Sequence, residues 1–465
     1  MDRLGPIDAT FYHLESRTTP MHVGSVSVME GPAPRYEELT ALLAARLPLV
    51  PRYRQRVRTV PLGLGRPVWV DDQDFRIGHH VRQVAVTAPG GDDELRDLVA
   101  RVVEQPLDMA KPLWEVWLVD GLEDHRWAVI AKVHHCMVDG IAGTDLLQLI
   151  FDREPEAAGG ESQPWAPSPE PSSAAVIARS VRDTVTDAGH HTAQQLRALR
   201  GLTSPAEWVR RTDAVTASFL DLTRQAVAPT ARGLNGPLGP RRRWAWTATD
   251  LPTVRRVGRR LGGSTNDVVL CAITAGLRDL LAGRDQLTDR LVVRTLVPVS
   301  VRRGAERGQV GNRIATVLVD LPVGESDPLA RFAAVQRQMD DHKRLVLAAD
   351  ARTMLSAGDL VAPALLTLGA QATRSAQPIA QAVATNVPGP PRPLYALGRR
   401  MISLHAHVPI AMGCRLAIGI FSYAGRMTFG INADHDGVPD VDVLATGIER
   451  GLEELVARSG SAPDG

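Results

Sequence analysis

Pro155 to Ser173, PEAAGGESQPWAPSPEPSS, is too dense in Pro, Gly and Ser for a helix or a central strand to run through it. The chain is divided there, and each side has to bury a core of its own. Both sides alternate helical and strand-like patterns. On the first, Tyr36 to Leu47 places Leu39, Leu42, Leu43 and Leu47 on one helical face, and Arg126 to His135 reads as a strand. On the second, Leu291 to Val301 and Ile314 to Val323 combine β-branched residues with strand length. Cys414 to Asn432 reads as a hairpin meeting at Ala424-Gly425, while Asp267 to Leu281 and Leu329 to Leu345 read as helices. Ala174 to Ala228 is polar, Ala-rich and helically spaced, as crossover helices would be. The expectation is an α/β protein of two domains packed side by side, residues 1–155 and 240–465, with linker and crossover helices over 156–239 and a cleft between the domains. A length of 465 residues fits such a division, since a single core stops growing well before that size.

Composition narrows the function classes. A formal net charge of +1 offers nucleic acid no bulk attraction, so a nucleic-acid partner is not expected. The 3 cysteines, Cys136, Cys271 and Cys414, are too few and too scattered for a disulfide framework or a CxxC zinc knuckle, which fits a reducing cytoplasmic setting. The opening MDRLGPIDATFYHLESRTTP has no continuous apolar segment and carries acidic residues early, so a secretory signal is not expected. No run reaches the roughly 18 apolar residues of a spanning helix.

Chemistry concentrates in KVHHCMVDGIAG, Lys132 to Gly143. On a strand, Trp127, Val129, Ala131, Val133 and His135 share one face, and His134 lies with Lys132 on the other. Asp139-Gly140 ends the strand, and Gly140 to Phe151 has helical spacing, so Asp139 stands at an N-cap position. From the residues alone, His135 is either a satisfied core histidine or a base presented to a substrate, and Asp139 is a helix cap. A metal site lacks a third and fourth ligand at recognisable spacing. His79-His80 and His190-His191 have no following Asp-Gly and read as surface features. G-x-S-x-G is absent, which disfavours a serine hydrolase, and Cys136 reads as a small apolar filler. Ser264-Thr265-Asn266-Asp267 is rich in capping residues and reads as a helix start.

His134-His135, followed by Asp139-Gly140, resembles the His-His-x-x-x-Asp-Gly motif of two-domain, chloramphenicol-acetyltransferase-like acyltransferases. MDRLGPIDATFYHLESRTTPMHVGSVSVMEG, PLWEVWLVDGL, STNDVVLCAITAGLRDLL, GNRIATVLVDLPVGESDPLARF, TNVPGPPRPLY and SYAGRMTFGINADHDGVPDVDVL resemble one branch, the bacterial wax ester synthase/acyl-CoA:diacylglycerol acyltransferase family. The resemblance runs nearly end to end and fails only through the linker. It implies two such domains with the active site in a channel at their interface. It also implies acyl transfer from acyl-CoA to a diacylglycerol or long-chain alcohol, making triacylglycerols or wax esters without a covalent acyl-enzyme. His135 is then the catalytic base, Asp139 the residue that holds its turn, and Asn266 the donor to the developing oxyanion. His134, Gly140 and Asp267 support these, and Pro112, Leu113 and Trp114 form pocket wall or scaffold. No metal or other cofactor is implied, acyl-CoA being a co-substrate. Met354 to Thr373, interrupted by Asp359 and Pro363, reads as a buried helix, an interfacial one or a lining of the acyl tunnel. Peripheral association with the inner face of the membrane or with lipid droplets is expected. The alternatives are a carrier-protein-dependent acyltransferase of the condensation-domain or polyketide-associated type and a non-catalytic lipid-binding protein.

Overall fold

A computed structural model of the chain describes residues 2–138, 145–156, 165–183, 186, 231–300, 314–348, 380–411 and 413–460. Along these the strands are β1 (His22–Met29), β2 (Gln55–Arg58), β3 (Val68–Asp71), β4 (Val81–Ala85), β5 (Trp114–Leu122), β6 (Arg126–His134), β7 (Arg242–Asp250), β8 (Val293–Ser300), β9 (Ile314–Leu321), β10 (Ala382–Val387), β11 (Tyr395–Ala396), β12 (Arg399–His407), β13 (Leu416–Tyr423) and β14 (Arg426–Asp434). The helices are α1 (Pro6–Leu14), α2 (Tyr36–Arg46), α3 (Asp92–Val103), α4 (Asp145–Ile150), α5 (residues 173–183), α6 (Leu251–Arg260), α7 (Thr265–Ala282), α8 (Pro328–Ala348) and α9 (Val441–Ser459).

Two six-stranded mixed sheets carry the α/β architecture. The first runs β11-β12-β1-β6-β5-β4 and the second β7-β14-β13-β10-β8-β9; β2 and β3 form a separate ribbon. Sheet membership does not follow the sequence halves, because β11 and β12, from residues 395–407, complete the first sheet by antiparallel pairing of β12 with β1. In β6 the expected alternation holds. Trp127, Val129, Ala131 and Val133 pack with Leu39, Leu43 and Leu113 on one side. Ala128 and Ile130 pack on the other with Leu95, Leu98 and Val99 of α3 and with Trp244 of β7. Helix α3 thus lies between the first sheet and the second. The hairpin read from the sequence is β13–β14, turning at Ala424 (φ 45°) and Gly425 (φ 84°), the left-handed pair of a two-residue turn that keeps the strands' twist.

The two sheets touch most closely where β12 crosses β13 and β14. Gly419 and Gly430 are register partners on those strands, and both leave room for Ala406 of β12. A Cβ on Gly430 would stand 1.9 Å from the Ala406 carbonyl oxygen, and one on Gly419 2.7 Å from the Ala406 Cβ. On either side, Thr428 Oγ1 donates to the Leu404 carbonyl at 2.6 Å and Asn432 Nδ2 to the Val408 carbonyl at 2.9 Å.

A pair of opposite charges is buried in the first sheet. Lys132, wholly enclosed, donates from Nζ to the Val102 carbonyl at 3.0 Å and the Gln105 carbonyl at 2.8 Å, and lies 3.2 Å from Glu115 Oε2 on the neighbouring strand. It caps the negative end of α3 and fixes that helix to the sheet. Among the described residues no helix is long and apolar enough to cross a membrane, and Met354 to Thr373 lies outside them.

The glycine pair gives a direct comparison. Gly430→Ala has no space and is expected to lower the unfolding free energy by about 2 kcal/mol or more. Gly425→Ala has nothing within 4 Å and is expected to cost only about 1 kcal/mol, from its positive φ. Urea titrations of the two variants check the difference, and equal costs would contradict the crossing.

Candidate active site

Strand β6 ends between two carbonyls that belong to other segments. The His134 N–H donates to the Leu113 carbonyl at 2.9 Å, and the His135 N–H to the Met21 carbonyl at 2.8 Å. The strand stops at His134 rather than His135, because His135–Met137 turns into a single 3₁₀ turn. His134 is that turn's N-cap. Its Nδ1 accepts the Cys136 N–H at 3.1 Å, which leaves the proton on Nε2, 3.3 Å from Glu15 Oε2. The same Glu15 oxygen accepts the Met21 N–H at 2.5 Å. One carboxylate therefore ties the start of β1 to the end of β6.

His135 is only partly exposed. Its ring stacks on Phe11 of α1 at 3.9 Å between centroids with a 29° interplanar angle. Its Nδ1 is buried and finds no hydrogen-bond partner of ordinary geometry among the described residues. Burial lowers the His135 pKa to about 4; its own main chain opposes this and neighbouring His134 adds to it. At neutral pH the imidazole is uncharged.

Asp139 and Gly140 lie outside the described residues. Asn266 and Asp267 open α7, and the helix is capped without Asn266. Ser264 is the N-cap, its Oγ accepting the Asp267 N–H at 3.3 Å, and Asp267 Oδ2 accepts the Ser264 N–H at 2.7 Å. The capping box uses Asp267, which is buried, and leaves the Asn266 side chain with no described hydrogen-bond partner. No hydrogen bond or ring contact among the described residues joins Asn266 to the His135 turn. Pro112, Leu113 and Trp114 lead into β5, and all three are buried. Trp114 donates from Nε1 to the Tyr53 carbonyl at 2.8 Å and stacks on His80 at 4.6 Å. That contact corrects one sequence reading: His80 is not a surface residue but is buried between Trp114 and Phe75, whereas His79 is exposed. Among the described residues no cluster of His, Cys, Asp or Glu is arranged to hold a metal.

Three residues of this site escaped the reading of the sequence: Phe11, Glu15 and Met21. All stand in the opening MDRLGPIDATFYHLESRTTPMHVG, and nothing in periodicity marks them, since one acts through a carbonyl and another through a carboxylate distant along the chain.

Residues 4–269 match the family model described as the wax ester synthase/diacylglycerol acyltransferase catalytic domain, and residues 310–456 that of the WS/DGAT C-terminal domain. The probable diacylglycerol O-acyltransferase tgs1 of Mycobacterium tuberculosis is 36% identical over 473 residues, covering 99% of this chain and 96% of that protein. A putative diacylglycerol O-acyltransferase of the same organism is 33% identical over 496 residues, covering 100% and 92%. Among solved structures, the wax ester synthase/diacylglycerol acyltransferase of Marinobacter aquaeolei superposes with a TM-score of 0.68 at 24% identity, covering 99% of this chain and 100% of that one. The first condensation domain of the CDA synthetase gives 0.55 at 17%, covering 99% and 97%. At these identities the two structures speak for the fold: paired chloramphenicol-acetyltransferase-like halves.

Buried neutral imidazoles make stability depend on acid. His405 and His407 are lowered to about 3 by burial, with nearby cations adding, and His22 is held well below its ordinary value by burial. Folded pKa values below the unfolded 6.5 mean that the unfolded chain takes up protons first. Stability is then complete above about pH 6.5 and is lost as pH falls from there toward 3, by about 2 kcal/mol at pH 5 for each of His405 and His407. The urea midpoint is expected to drop steeply between pH 7 and pH 5; a flat profile there would show that these rings are not held neutral.

Proposed function

The chain belongs to the wax ester synthase/diacylglycerol acyltransferase family and is an acyltransferase, and from that premise we propose that it joins the acyl group of an acyl-CoA to the hydroxyl of a diacylglycerol or long-chain alcohol, with His135 as the base. The single observation that carries the role of His135 is its place at the end of β6, where its main-chain N–H is held by the Met21 carbonyl and its ring packs on Phe11.

The thioester is already activated, so the missing ingredient is a group that accepts the hydroxyl proton as the oxygen attacks. Nε2 of His135 takes that proton while the new C–O bond forms. The oxyanion of the tetrahedral intermediate then lies beside an imidazolium, whose charge the low-polarity surroundings otherwise disfavour. Asn266, free of any part in the helix cap, is the donor we assign to that oxyanion, together with the N–H groups at the start of α7. Collapse of the intermediate breaks the C–S bond, and the departing CoA sulfur takes the proton back from Nε2. Ester and free CoA leave, and the histidine is neutral again. In this scheme Asp139 and Gly140 hold the turn, and His134 acts through the cap rather than on the substrate. Asp267 supports the start of α7 through its capping box, and Pro112, Leu113 and Trp114 position the Leu113 carbonyl and wall the neighbouring core. The thiols support a direct transfer. Burial raises the Cys136 pKa far above neutrality, Cys271 is pushed up to about 11 and Cys414 to about 12, so none offers a thiolate nucleophile.

CoA release from palmitoyl-CoA, followed by thiol detection with hexadecanol or dipalmitoylglycerol as acceptor, tests the scheme. His135→Ala is expected to lose about a thousandfold or more in kcat, and Asn266→Ala about a hundredfold with little change in KM. Wild-type release independent of either acceptor would mean hydrolysis, and undiminished activity in His135→Ala would remove the histidine from the chemistry.

A further inference from the structure

The β2–β3 ribbon ends in a loop, TVPLGLGRP, whose tip shows leucine where folding gives no reason for it. Leu62 is 89% exposed and Leu64 44% exposed. The turn from Val60 is closed by the Gly63 N–H to the Val60 carbonyl at 3.1 Å, and Leu62 occupies its third position with φ 61° and ψ 12°. That conformation belongs to glycine or asparagine, and a leucine there is strained. The two ordinary reasons for a leucine, burial and backbone preference, both fail at this position.

The tip is firmly backed, so its exposure is not fraying. Val60, Val68 and Val70 pack on Val176 of α5, and Gly65 sits so close to α5 that a Cβ there would be 2.7 Å from the Ser180 Cβ. The next residue of α5, Val181, is 47% exposed and extends the apolar surface. Five arginines stand on the same elements, Arg56 and Arg58 on β2, Arg66 after the tip, and Arg179 and Arg182 on α5, and the last two are exposed. Against them stand Glu170, 2.7 Å from Arg56 and 3.1 Å from Arg58, and Asp183, 3.9 Å from Arg179. This corner is basic in a chain whose net charge is only +1.

We propose that this tip docks the protein on a membrane, with Leu62, Leu64 and Val181 entering the head-group region of a bilayer and the exposed Arg179 and Arg182 of α5 meeting anionic phospholipids. Apolar side chains rimmed by cations fit such a surface, where lipid burial and charge attraction act together. The inference rests on the substrate reading above, since a diacylglycerol or long-chain alcohol is held in a lipid phase and the enzyme has to reach it there.

Co-sedimentation with phosphatidylcholine vesicles, with and without phosphatidylglycerol, tests it. Wild type is expected to bind the phosphatidylglycerol vesicles and to be released by salt. Leu62→Gly, which relieves the backbone and is expected to keep or raise the Tm, should bind about tenfold more weakly. Arg182→Glu should weaken binding to the anionic vesicles, while Val456→Ser, at an exposed apolar site on α9, should leave it unchanged. Leu62→Gly binding as tightly as wild type, or wild type binding pure phosphatidylcholine equally well, would overturn the proposal. CoA release with hexadecanol in detergent micelles separates the two readings. Leu62→Gly keeps wild-type release there if the tip only docks, and loses it if the tip belongs to the catalytic fold, which would also overturn docking. A wild type inactive in micelles would count against the substrate reading alone.

Discussion

Strand β12 has to satisfy two sheets at once, and the rest of the structure depends on its doing so. Along its edge it pairs with β1; across its face it lies on β13 and β14 at the Gly419–Gly430 pair. Backbone approach that close is possible only where no Cβ intervenes, and the Thr428 and Asn432 side chains fix the crossing by bonding to β12 carbonyls. Strand β1, held by β12 on one side, is the strand that begins at Met21–His22 and pairs with β6 on the other. Through β12 and β1 the crossing is connected to the segment whose Met21 carbonyl accepts the His135 N–H.

The electrostatics of the same sheet follow one pattern. Lys132 is buried there with Glu115, and its charge is matched by that carboxylate and by carbonyls at the end of α3. His22 and His407 lie near enough to this cation for it to oppose their protonation, in addition to their burial. His135 is neutral for the first of those reasons, burial, with His134 contributing. A low-polarity setting that keeps the imidazole uncharged also makes its protonated form a ready donor, which suits a group that takes a proton from an alcohol and gives it to a sulfur within one reaction. The geometry of Glu15, His134 and Cys136 serves this indirectly, by holding the turn on which His135 stands.

Much of this was legible in the sequence where local rules decide. The alternation in β6, the Ala424-Gly425 hairpin and the Ser264–Asp267 helix start all rest on period, turn chemistry and capping, and each is present. The α/β class follows from the same patterns. What the sequence hid is non-local. The transfer of β11 and β12 to the first sheet depends on pairing between residues hundreds of positions apart, and no local signal separates a strand that stays in its half from one that leaves. Met21 contributes only a carbonyl, which any residue could supply. Glu15 and Phe11 act through contacts with a turn far along the chain. His80 was misread because an isolated histidine pair in a polar-looking segment gives no hint of the aromatic stack that encloses it.

In a direct transfer a neutral histidine moves a proton, and the acyl group never resides on the protein. Intact-protein mass spectrometry after incubation with palmitoyl-CoA in the absence of acceptor addresses it most directly. Direct transfer predicts an unchanged protein mass and no release of CoA until an alcohol is added. A palmitoyl adduct that forms without acceptor and disappears when hexadecanol is supplied would contradict it, and would require a nucleophile on the chain in place of the base.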